Sequence, residues 1–207
     1  MENLERTRKK AKQYWFNDGI NEIGLGLVFL ILGIYFFLMV SLKWTGLIRT
    51  IFDSSLLLVM LGTFWLINSG IKYFKENLTY PRTGFVSYER SRRLPKWVTG
   101  LIAGITGALI ASLLARENLL RWLPALSGAV ICLVLLLIAF RIQLFRFHIL
   151  ALLSLCYGLI FSNFEIEPML GTSAVYSLCG ISVLFSGVCI LVTYIHSTSP
   201  PGNQSNE

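Results

Sequence analysis

Charge is what this chain has least of. Asp, Glu, Lys and Arg make up only 14% of its 207 residues, where a soluble domain carries about a quarter. None of them falls inside six apolar runs, at 23–42, 54–71, 97–115, 122–140, 147–164 and 168–195. Runs of about 18 or more apolar residues are long enough to cross the hydrocarbon core of a bilayer. Little chain is left between them, so the pattern excludes a separate water-soluble domain. With 55% hydrophobic residues and a mean hydropathy of +0.65, the expected class is an all-α membrane protein: a six-transmembrane-helix bundle forming one domain over 1–196.

Further absences exclude familiar chemistry. Cys132, Cys156, Cys179 and Cys189 lie inside predicted spans without C-x-x-C spacing, so they read as small buried hydrophobes, not a redox or metal motif. The two histidines, His148 and His196, have no Cys or carboxylate at ligand spacing. Gly24, Gly26 and Gly33 lack the G-x-G-x-x-G pattern and sit in a span, which rules out a dinucleotide loop. Ser154, Ser162 and Ser173 have no identifiable base. No internal repeat supports an inverted-repeat transporter. No metal or cofactor is expected. The first apolar run exceeds a signal-peptide core of about 7–15 residues and no A-x-A site follows it, so it is expected to remain as the first span.

The positive charge that is present is sorted. Five Lys and Arg precede the first run, seven occupy the connector 72–96 and two separate the fourth and fifth runs. The alternate gaps hold only two and two, giving fourteen on one side against four on the other. Such a bias sets orientation and places both termini in the cytoplasm. It also accounts for the net charge of +7 and the pI near 9.4 without a nucleic-acid partner. Asn77-Leu78-Thr79 then lies on the cytoplasmic side, where the glycosylation triplet is inert.

Local signals refine this outline. The basic segment 2–16 ends in Tyr14, Trp15 and Phe16 and suits a short interfacial helix. Trp44, Trp97 and Trp122 fall at span ends, as an aromatic belt requires. Asp53 is placed to cap the second span, and Pro124 occupies the first turn of the fourth. Gly100, Ala103, Gly104, Gly107 and Ala108 form small-xxx-small pairs in the third span. Gly26 with Gly33, and Ser182 with Ser186, repeat the idea more weakly, as packing faces within the bundle. The tail 197–207 is polar and expected to be disordered.

Two segments draw attention as binding candidates. In Tyr14–Glu22, YWFNDGINE, helical spacing puts Asp18 with Glu22, and Asn17 with Asn21, on one polar face at the membrane entry. Ionisable groups at membrane depth are costly and often functional. The alternatives are acids that are solvated, acids paired with Lys or Arg of the basic connector, and a cation or headgroup site. In the connector, Tyr80-Pro81-Arg82-Thr83-Gly84 reads as a turn. Arg82 with the Thr83–Gly84 amides suits a phosphate or carboxylate. Arg90, Arg92 and Arg93, with Lys96, form a cluster of the kind that attracts anionic lipid.

These two segments, YWFNDGINEIGLGLVFLILG and LTYPRTGFVSYERSRR, together resemble an uncharacterised family of bacterial multi-span membrane proteins. That family has a Y-W-x-x-D-G-x-x-E-I entry and a T-Y-P-R-T-G-[YF]-V connector. The resemblance covers roughly the first 90 residues. It implies a multi-pass protein of a bacterial inner membrane and supplies no activity.

Three functions follow in order of support. The first is binding of a cytoplasmic or membrane protein partner, or of anionic lipid headgroups, through the basic cytoplasmic face. The second is a small transporter or channel for a neutral or lipidic substrate, with Gly104 or Gly180 as points where a helix breaks. The third is a lipid-modifying enzyme using Asp18, Glu22 and Arg82. A homo-oligomer is left open.

Overall fold

The computed structural model describes residues 18–42, 45–79 and 117–197. All regular structure among the described residues is helical. Helix α1 is Ile20–Ser41 and α2 is Leu47–Phe74, which continues as a π-helical turn over Lys75–Thr79. After a 3-10 turn at Glu117–Trp122 come α3, Leu123–Ile142, α4, Phe145–Asn163, and α5, Pro168–Ser197. Among the described residues, five helices are long and apolar enough to cross a membrane. The 22 residues of α1 rise about 33 Å at 1.5 Å each, matching a hydrocarbon core of about 30 Å. The third apolar run, segment 2–16, Trp44, Trp97, residues 80–96 and residues 198–207 lie outside the described residues.

The strongest seam joins α1 to α5, antiparallel. From the turn that caps α1 into the helix itself, Gly19, Gly26 and Gly33 recur every seven residues, and on α5 so do Ser173, Gly180 and Gly187. Read in opposite directions, the two series meet. A Cβ on Gly180 would stand 2.7 Å from the Leu30 nitrogen, and one on Gly26 would stand 2.7 Å from the Leu184 nitrogen. Only glycine permits backbones this close. The Ser173 hydroxyl donates to the Gly33 carbonyl at 2.8 Å. The helices α3 and α4 form a hairpin that reverses through Gln143, in the left-handed region at φ 59, and extended Leu144. Leu135, Ala139, Phe147, Ala151, Val175 and Val183 fill the core between α3, α4 and α5, and Phe29 of α1 joins them.

The helix α2 is held differently. It meets α1 near the two ends of that helix. Tyr35 stacks on Phe52 with ring centroids 4.7 Å apart and donates its hydroxyl to the Phe52 carbonyl at 2.5 Å. Toward the other end, Ile67 and Ile71 close over Gly24. Leu57, Leu58, Leu61, Phe64 and Trp65 are all exposed, an apolar surface suited to acyl chains.

Several sequence expectations change here. The helix α2 starts at Leu47, so the N-cap position belongs to Gly46 and position 53 falls inside the helix. The chain can turn at Gly46 (φ 65), before the uninterrupted apolar run begins. Only Cys179 is buried; Cys156 and Cys189 are exposed on the bundle surface and Cys132 is half-buried, because helix rotation decides which side of a span meets the core. Helix α5 runs unbroken through Gly180, which serves close packing and is not a break. Pro124 stands in the first turn of α3 as expected. Ser154, Ser162 and Ser173 are buried and donate to the backbone carbonyls of Ala151, Arg121 and Gly33.

Candidate functional site

Asp18 and Glu22 are both buried, but not as two steps of one helical face. Gly19 adopts φ 70, a conformation glycine reaches without strain, and α1 begins only at Ile20. Asp18 therefore sits in the preceding turn, while Asn17 lies outside the described residues. One carboxylate oxygen of Asp18 accepts the Ile20 N–H at 3.2 Å, in the manner of a helix cap. The other faces the Lys75 ammonium at 3.4 Å, and both side chains are almost fully buried. Lys75 is the first residue of the π-helical turn that follows α2. Such wide turns recur at functional positions.

Glu22, in the first turn of α1, is completely buried. Its Oε1 is ion-paired with the guanidinium of Arg146, at the start of α4. Its Oε2 accepts the Ser186 hydroxyl of α5 at 3.0 Å. Arg146 also lies over the Phe147 ring, 5.7 Å from its centroid, and keeps about a quarter of its side chain exposed. Two acids and two bases thus join α1 to α2, α4 and α5 at one end of the bundle.

The arrangement is charge-balanced. Isolated charges at this depth would be costly, and each acid here has a base within ion-pair distance. Both carboxylates are engaged by cations and hydroxyl or amide donors, so neither presents an open face to a metal. Among the described residues, no three His, Cys, Asp or Glu side chains gather as a metal site.

Sequence reasoning selected Asp18 and Glu22 and weighed pairing with the basic connector, to which Lys75 belongs. It missed Arg146 and Ser186. In the sequence Arg146 is one of two cations between the fourth and fifth runs, and Ser186 pairs with Ser182 as a packing face. In the structure Ser182 instead shares a hydrogen bond with the Tyr157 hydroxyl at 3.1 Å. The cations at the foot of the apolar runs were the available signal. Arg82, Thr83, Gly84, Arg90, Arg92 and Arg93 lie outside the described residues, so the structure does not bring them to Asp18 and Glu22 or separate them. Glu165 and Glu167 are exposed between α4 and α5.

The described residues are all-helical in their regular structure, with five helices among them of the length and composition that a multi-pass membrane protein requires. No family model, curated protein or solved structure matches the chain, and the functional reading rests on its residues and their geometry.

Proposed function

We propose that this chain is a six-span protein of a bacterial inner membrane, with both termini cytoplasmic, and that its basic cytoplasmic face binds anionic lipid headgroups. The observation that carries the reading is the internal neutralisation of Asp18 and Glu22 by Lys75 and Arg146. Buried and matched, these two acids do not offset the cations exposed at the same end. Lys72 and Arg141 are exposed there, with Glu76 as an exposed acid among the described residues. The sequence adds Arg82, Arg90, Arg92 and Arg93 in the same connector. Each Lys or Arg near an anionic leaflet contributes about 1 kcal/mol.

The sixth span has its own support. Lys75 closes α2 at the Asp18 end. Arg121 instead lies at the opposite end, where its carbonyl accepts the Ser162 hydroxyl and Pro124 packs on Gly171. A chain that leaves one end and resumes at the other needs an odd number of crossings. That supports counting the apolar run 97–115 as one.

The test is lipid retention by the full chain in mixed nanodiscs of phosphatidylglycerol and phosphatidylcholine, read by native mass spectrometry. Replacing Arg82, Arg92 and Arg93 together with Ala should lower the preference for phosphatidylglycerol by about tenfold or more. Unchanged preference overturns the reading. A protein partner lost in that variant while lipid preference persists would move the function to protein binding.

A further inference from the structure

A laterally open groove of about 390 Å³ runs between α1 and α2. Its walls are apolar and include Val28, Phe64 and Trp65, while Asn21 and Asn68 are its polar lining residues. Asn68 is exposed and makes no side-chain hydrogen bond among the described residues. An amide carries two donors and an acceptor, and leaving them unpaired in hydrocarbon is costly. Asn68 therefore marks a place where a polar group of something else belongs.

The order of residues along α2 indicates what that is. Phe64, Asn68 and Lys72 are four apart and share a helix face, each step advancing about 6 Å toward the Asp18 end. Lys72 is exposed and has no ion pair among the described residues. Apolar wall, amide and ammonium follow one another in the order of acyl chain, ester and phosphate. Tyr73 and Phe74, both exposed, stand at the same level as Lys72, where aromatic rings meet headgroups.

We propose that this groove seats one anionic phospholipid, its acyl chain along Val28, Phe64 and Trp65, its ester oxygens on the Asn68 amide and its phosphate on Lys72. The assignment rests on the anionic-lipid reading above and adds a defined intramembrane site to it. The binding surface of that reading is the connector. The groove grips the body of the lipid and meets that surface at Lys72, the first cation of the connector.

The experiment uses the full chain in nanodiscs with trace phosphatidylglycerol bearing a photoreactive acyl chain, and adducts are mapped by peptide mass spectrometry. Adducts are expected on the stretches around Val28 and Phe64–Trp65. Asn68→Leu and Lys72→Gln should each reduce them by about fivefold, the effect of one headgroup contact. After Asn68→Leu the overall phosphatidylglycerol preference should persist, because every cation of the connector is intact. Equal labelling by a phosphatidylcholine probe overturns the proposal, as does labelling confined to the connector. Cross-linking of an Asn68→Cys variant to another stretch of the chain or to a second copy, in place of lipid, also overturns it. Loss of both adducts and preference in the unmodified chain would remove the connector reading as well.

Discussion

The helix α1 has two seams, built on opposite principles. Toward α5 it presents Gly19, Gly26 and Gly33, and the partner answers with Gly187, Gly180 and Ser173 at backbone contact. Toward α2 it presents an anchor at Tyr35, a close approach at Gly24, the Asp18–Lys75 pair and a groove between them. Lipid tails are as apolar as leucine, so membrane helices associate through close packing and hydrogen bonds and not through the hydrophobic effect. The α5 seam uses the first along its whole length. The α2 seam relies on discrete polar and aromatic contacts, which leaves room between them for a ligand.

The buried charges divide along the same line. Glu22 faces the compact side through Arg146 and Ser186, and Asp18 faces the looser side through Lys75. Removing one partner of a buried pair costs about 3–5 kcal/mol, whereas replacing both with apolar residues is often neutral. Arg146→Met should therefore give the largest drop in thermal stability in detergent. Glu22→Leu with Arg146→Met should recover most of it. A single variant as stable as the parent would mean that the compact side does not depend on this pair.

The next effect tests the glycine seam itself. Gly180→Val must force the Leu30 backbone aside and should cost about 1–3 kcal/mol or more, as overpacking does. Gly62→Ala on α2, where an added Cβ meets nothing among the described residues, should be neutral or stabilising by up to about 1 kcal/mol. Thermal denaturation of both variants checks the contrast. Equal losses would show that the two seams are alike.

The smallest effect concerns the far anchor of α2. Tyr35→Phe keeps the stack on Phe52 and removes the hydroxyl donated to its carbonyl, at a cost of about 1 kcal/mol. Hydrogen exchange should rise in the first turns of α2 and stay constant in α5. Faster exchange in α5 would show that the seams unlock together.

Much of the helical outline was legible because a bilayer punishes charge wherever it falls within a span. The charge-free runs therefore matched α1, α3, α4 and α5 within a few residues. The start of α2 was not legible in this way, since Gly46 lets the helix begin ahead of the apolar run and takes Asp53 inside it. Asp18 and Glu22 stood out as acids at a span entrance. The partners of Glu22 did not, because Arg146 and Ser186 reach it only after α4 and α5 fold back along α1, and Ser186 is 164 residues away in sequence. The heptad of small residues was written in the chain, but its use against α5 depends on an antiparallel register.

By itself, the sequence determined that these segments are helices suited to a bilayer, because the cost of burying charge in hydrocarbon acts on each segment independently of its neighbours. The tertiary structure decided which glycines touch, which cation neutralises which acid, and which side of α1 is left with an open groove. Those outcomes depend on helix rotation and register, which are pairwise properties of packed helices and belong to no single stretch of chain.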